Sequence, residues 1–68
     1  MAKALSTVFQ PGTALRAGDV VHPAEGEPVT VTDVTLAPSG EHAVVRFASG
    51  LVAELTTDDV VEIEARTP

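Results

Sequence analysis

The sequence predicts an all-β fold, a single small antiparallel barrel or sheet of five strands with an irregular N-terminal segment. Three observations carry this. Residues 42–56, His-Ala-Val-Val-Arg-Phe-Ala-Ser-Gly-Leu-Val-Ala-Glu-Leu-Thr, form two strand-like runs flanking a short turn. A second turn, Pro38-Ser39-Gly40-Glu41, precedes them, and its register agrees with theirs. The runs on either side, Val29 to Ala37 and Val60 to Glu64, are dominated by β-branched residues.

The first ten residues are the least readable. Leu5, Thr7 and Phe9 alternate with Ser6 and Val8, which allows an edge strand, while Ala2 to Leu5 are equally compatible with helix or disorder. Pro11-Gly12 ends this segment, so residues 1–12 are set apart from a barrel over residues 13–64. Phe9 is expected to pack on the barrel. Leu15 to Asp19 reads as a turn into a short strand, Val20-Val21-His22, closed by Pro23. The loop Ala24 to Pro28 is polar and has no apolar period.

The run Val29 to Ala37 changes parity. Val29 and Val31 are odd, whereas Val34 and Leu36 are even, so one residue near Thr32-Asp33 is extra if both pairs face the core. That is the mark of a β-bulge, or of a bend where one strand serves both halves of a barrel. Taking Pro38 to Glu41 as a four-residue loop pairs Ala37 with His42, Leu36 with Ala43 and Val34 with Val45.

Two turn lengths are open in the central hairpin. A two-residue turn at Ser49-Gly50 pairs Val45 with Glu54 and puts a carboxylate on the apolar face. A three-residue loop, 48–50, pairs Phe47 with Leu51, Val45 with Ala53 and Ala43 with Leu55, leaving one face wholly apolar. Register follows burial, so the longer loop is preferred. Gly50 then falls where that loop needs a left-handed residue. The other face carries His42, Val44, Arg46, Val52, Glu54 and Thr56. Two valines on a nominally wet face imply a cover, either residues 1–12 or a partner; the N-terminal segment is preferred because Leu5, Val8 and Phe9 are available.

Thr56-Thr57-Asp58-Asp59 suits a single helical turn. The last strand, Val60 to Glu64, turns Val61 and Ile63 inward, and Ala65 to Pro68 are expected to fray. Val31, Val34, Leu36, Val45 and Phe47 join Leu51, Leu55, Val61 and Ile63 in the predicted core.

The chain's 68 residues allow one domain with a modest core, and the absence of cysteine removes disulfides and thiolate metal sites as supplements. No apolar run approaches the roughly 20 residues of a membrane span, and the start has no apolar signal-type region. A cytoplasmic address is expected. Ten acids against four bases give a formal charge of -6. The bases Lys3, Arg16, Arg46 and Arg66 are scattered, which argues against a nucleic-acid surface and for a basic protein partner or plain solubility. Abundant Val, Ala and Thr, with single Lys and Ile residues and no Asn, suggest GC-rich coding of bacterial or phage origin.

Five short strands, a long first loop, two tight hairpins and a turn before the last strand make the chain resemble a Src-homology-3-like small barrel. Gly18-Asp19-Val20-Val21 with Gly26 and Val29 looks like the opening of a KOW-type domain. Val45-Arg46-Phe47-Ala48-Ser49-Gly50, with Leu55 and Val60 to Ile63, looks like the hairpin of a Tudor-type domain. The likeness spans about residues 15–64. The functions of those families do not follow it. KOW-type domains present bases to RNA, and here that loop has Glu25 and Glu27. A Tudor-type aromatic cage needs more than Phe9 and Phe47, and a proline-peptide groove needs Tyr and Trp, both absent.

Catalysis needs a nucleophile or acid–base pair held with a second group. There is no Cys, Tyr or glycine-rich phosphate loop, and Ser39 and Ser49 sit in turns. His22 and His42 fall at strand ends and are read as solvent-accessible, not as metal ligands; Asp58 and Asp59 are read as part of a turn. No cofactor is expected. The expectation is a non-enzymatic protein-interaction module or small accessory subunit. Its acidic rim, Glu25 and Glu27 with Asp58 and Asp59, would meet a basic partner; the resemblance supplies the adjacency of those two segments. A KOW-like accessory of transcription or translation is the alternative, and a subunit of a phage or enzyme complex a further one. Self-association stays open.

Overall fold

A computed structural model describes residues 6–66. Six strands, β1 (Thr7–Pro11), β2 (Val20–Val21), β3 (Val29–Leu36), β4 (His42–Phe47), β5 (Val52–Thr56) and β6 (Val60–Glu64), form one sheet. All ladders are antiparallel, and the order is β1-β6-β2-β3-β4-β5. The expected five strands are therefore six, and β1 and β5 are two open edges, so the sheet is not closed.

β1 realises the edge strand allowed by the alternation over residues 5–9, although Leu5 lies outside the described residues. It runs against the whole of β6, from Thr7 opposite Glu64 to Pro11 opposite Val60. Proline at this position forfeits no ladder bond, since an edge strand has one unpaired side. A short 3-10 helix, Gly12–Ala14, follows and packs on β4 and β5. Its first residue is buried, and a Cβ built on Gly12 would lie 2.5 Å from the Leu55 Cβ, so only glycine permits this approach.

The parity break in β3 is a bulge. Val31 pairs with Phe47 but Asp33 pairs with Arg46, which leaves Thr32 extra. Its hydroxyl donates to the Arg46 carbonyl at 3.1 Å. Val29 and Thr30 pair with β2, and the strand from Val31 onward pairs with β4. One strand thus serves both halves of the sheet.

Both hairpin registers agree with the expected ones. Val45 faces Ala53, Ala43 faces Leu55, and the Phe47 N–H donates to the Leu51 carbonyl at 2.9 Å. Gly50 has φ +94°. At the preceding turn the Ala37 N–H donates to the His42 carbonyl, and Gly40 is also left-handed, with φ +77°.

The core centres on Val31, Val45 and Ile63, with Leu15, Val21 and Ala43 around them. Val34, Phe47, Leu55 and Val61 are half-buried against it. Leu36 and Leu51 lie opposite Ala43 and Phe47 on the apolar face but stand at hairpin ends and are 51% and 66% exposed. Phe9 is not packed on a core either: it is 70% exposed. The expected helical turn at residues 56–59 is a hydrogen-bonded β-turn, in which the Asp59 N–H donates to the Thr56 carbonyl and Asp59 Oδ2 accepts the Thr56 N–H at 2.8 Å.

The C-terminal end departs from the fraying expected of residues 65–68. The Ala65 N–H donates to the Ser6 carbonyl, and Arg66 is held by two bonds to buried Asp19. Thr67 and Pro68 lie outside the described residues.

Candidate interaction surface

Alternation in β1, β6 and β2 sends Val8, Gln10, Val61, Ile63 and Val21 to one face and Thr7, Phe9, Val60, Glu62, Glu64 and His22 to the other. The second face is open. Phe9 lies directly across from Glu62, and Val60 (63% exposed) lies across from Pro11. A groove runs beside them, floored by β2 and β6 and walled by Phe9, Pro23, Ala24 and Val60. Exposed aromatic and aliphatic surface therefore sits among carboxylates.

Those carboxylates are held in place by Thr7 and His22. The Thr7 hydroxyl donates to Glu62 Oε2 at 2.6 Å, and His22 Nε2 lies 3.0 Å from Glu64 Oε2. Among the described residues no Lys or Arg belongs to β1, β6 or the 22–28 loop. A bound Lys or Arg would bring the first ammonium or guanidinium to those elements.

The four acids expected to form a rim all lie at the surface. Glu25 and Glu27 are in the loop after β2, and Asp58 and Asp59 are in the turn before β6. Ala24 and Val60, which both line the groove, are the chain neighbours of Glu25 and Asp59. Their roles differ. Asp59 caps its own turn through Thr56, and its carbonyl accepts the Gly12 N–H at 2.6 Å. The carboxylates of Glu25, Glu27 and Asp58 make no hydrogen bond among the described residues. Glu62 and Glu64 are the acids that residue-by-residue reading left out. Their outward parity in the last strand was visible, but their alignment beside Phe9 depends on β1 pairing with β6, 55 residues away in the Thr7–Glu62 contact.

The other open face carries Val44, Val52, Arg46 and Glu54. The N-terminal cover expected there is absent among the described residues: Val8 and Phe9 belong to the opposite edge of the sheet, and Val52 is 53% exposed. Arg46 lies opposite Val52 and Val44 opposite Glu54, so charges of both signs share this face.

A third cluster is structural. Asp19, 6% exposed, receives Arg66 Nε on Oδ1 at 3.0 Å and Arg66 Nη2 on Oδ2 at 2.8 Å. It also accepts the Arg16 N–H at 2.8 Å, and Arg66 Nη2 reaches the Ala14 carbonyl at 2.9 Å. The hydrogen bonds from Arg66 hold the Asp19 carboxyl below the usual carboxylate range against the opposite push of burial, with Arg16 adding to the effect. No spacing in the sequence links positions 19 and 66.

Among the described residues no three His, Cys, Asp or Glu side chains gather to hold a metal ion, and no helix is long and apolar enough to cross a membrane. The first face can bury an apolar side chain beside Phe9 and accept hydrogen bonds from a cation. Compared with known proteins, the chain matches no family model, no curated protein and no solved structure.

Proposed function

We propose that the chain is a non-enzymatic protein-interaction module that docks a basic protein partner on the face of β1, β6 and β2. The observation that carries this is the exposed Phe9–Val60 surface beside Glu62 and Glu64, with His22 against Glu64 and with Glu25 and Asp59 next in sequence to the lining residues Ala24 and Val60. Aromatic surface supplies contact area, and the carboxylates steer and select a cationic partner. Setting β1 aside, β2 to β5 run as a meander and β6 returns beside β2. This arrangement, with the bulge that lets β3 serve both halves, supports a Src-homology-3-like barrel extended by one strand. The lack of cysteine fits a reducing compartment such as the cytoplasm.

The test is capture from a native host with the wild type and a variant carrying Lys at positions 25, 27, 58 and 59, at low and high salt. A basic partner retained by the wild type, and lost by the variant or at high salt, is the expected result. The same partners on both proteins at both salts would make the acids a solvated surface only. A copurifying nucleic acid would replace this reading with the KOW-like one.

A further inference from the structure

The open edge of β1 has a defined hydrogen-bonding pattern. The Ala65 N–H donates to the Ser6 carbonyl and the Gly12 N–H to the Asp59 carbonyl, so the even residues 6 to 12 form the hydrogen-bonded pairs with β6. Odd residues must direct their backbone groups the other way. Thr7 and Phe9 each present a free N–H and C=O at the edge, and Pro11 presents a C=O alone. Among the described residues nothing pairs with this edge. The same odd residues place their side chains on the acidic face, so Phe9 offers its ring and its backbone to one ligand.

We infer that β1 accepts an extended basic peptide as a seventh strand of the sheet. This rests on the proposed interaction module and names how its partner binds. A strand added about 4.8 Å from β1 would set one residue opposite Phe9, and two residues along, another opposite Thr7. The residue opposite Phe9 packs on the ring and takes an aliphatic side chain. The residue opposite Thr7 reaches over that short side chain toward Glu62 and Glu64, and takes Lys or Arg. Main-chain bonds to Thr7 and Phe9 give affinity, and these two alternate positions give selectivity.

Charge decides between this edge and its rival on β5. Outward positions on β5 are Val52 and Glu54, and the face beside them carries Arg46 opposite Val52. Among the described residues the β1 side has Glu62 and Glu64 and no Lys or Arg on β1 or β6, with His22 against Glu64. A second copy of the chain would bring a like formal charge of -6 against that surface, which disfavours it as the occupant.

The probe is the blocked peptide Ser-Val-Thr-Ile-Thr-Lys-Ser, in which antiparallel pairing sets Ile opposite Phe9 and Lys opposite Thr7. Titration into the isotope-labelled full chain, followed by amide shifts and hydrogen exchange, should perturb β1 first and slow exchange at Thr7 and Phe9. Methylating the Ile and Lys backbone nitrogens leaves charge and side chains intact but removes two donors, and should weaken binding at least about tenfold. Phe9→Thr keeps an exposed β-former and should also weaken it about tenfold, and replacing the peptide's Lys by Glu should abolish it. Equal binding by the methylated peptide, shifts confined to another surface, or no binding at millimolar peptide would overturn strand addition. If such a result accompanies salt-dependent capture lost in the four-Lys variant, the interaction module stands and only its mode is wrong. A concentration-dependent dimer that protects the same amides and vanishes in Phe9→Thr would assign the edge to a second copy and overturn the peptide assignment.

Discussion

Asp19 and Arg66, 47 residues apart, meet in a two-bond fork that closes the C-terminal end of the chain onto the turn before β2. The fork is one-sided in burial, with the Asp19 side chain 6% exposed and that of Arg66 32%. Asp19→Asn removes the charge and leaves one oxygen for the donors of Arg66 and the Arg16 N–H, with Arg66 keeping the Ala14 carbonyl, while removing the outer member strands a buried carboxylate. Asp19→Asn and Arg66→Ala are each expected to cost about 1–3 kcal/mol, and a double-mutant cycle should show strong non-additivity. Additive losses measured by urea unfolding would show that the two side chains do not act as a pair.

The same pair predicts an acid limb of stability. Asp19 is held below its ordinary pKa, chiefly by Arg66. A depressed carboxylate adds stability above its unfolded value of about 3.9 and loses it as pH falls through the lower folded value. Melting temperature should therefore drop on acidification below about pH 4, and the drop should flatten in Asp19→Asn. An unchanged acid limb in that variant would place the effect on other carboxylates.

Core substitutions separate the direction in which a side chain points from how deeply it is buried. Ile63, at 0% exposure, is expected to cost about 2–5 kcal/mol on substitution by Ala. Leu51→Ala and Leu36→Ala, on the same apolar face but exposed, should each cost under about 1 kcal/mol. Comparable losses at all three positions would mean that the hairpin ends are covered in solution.

That contrast shows what the chain made legible. Period-two alternation and turn chemistry specify which face a residue takes, so both hairpin registers, the Thr32 bulge and the left-handed Gly50 could be read directly. Depth depends on which tertiary neighbours reach a position, which alternation does not encode, hence Leu36 and Leu51 at the hairpin ends. Leu15 was hidden because it belongs to no periodic run. The β1–β6 ladder and the Asp19–Arg66 fork join the two ends of the chain, and no local pattern marks such contacts. The acidic loops were visible, but Glu62 and Glu64 became part of the surface only when that ladder set them beside Phe9 and His22.

Glycine substitutions test two different constraints. Gly12 faces Leu55 with no room for a methyl group, so Gly12→Ala should cost about 1–3 kcal/mol through overpacking. Gly40 and Gly50 have open space around them but positive φ, so each change to Val should cost about 1–2 kcal/mol from backbone conformation alone. The two turn variants should match each other. A second change, Leu55→Gly, which removes the Cβ that Gly12→Ala would strike, should relieve Gly12→Ala and leave Gly50→Val unaffected; the absence of any relief would sever the link between Gly12 and Leu55.

Nucleic acid provides the sharpest contrast with the acidic-surface reading. Affinity for phosphate backbones comes from clustered bases that release counterions, and it falls steeply with salt. The four bases of this chain are scattered along the sequence. Arg66 is engaged by Asp19, Arg46 stands on β4 with Glu54 on the same face, and Arg16 lies in the turn that Asp19 closes. Lys3 lies outside the described residues. Ten acids surround them, so the long-range field repels a polyanion. Binding of single- or double-stranded DNA or RNA should be weaker than about 0.1 mM near physiological salt. Fluorescence anisotropy across a salt series checks this. A steep salt slope with micromolar affinity at moderate salt would reveal a phosphate-binding surface and displace the basic-partner reading.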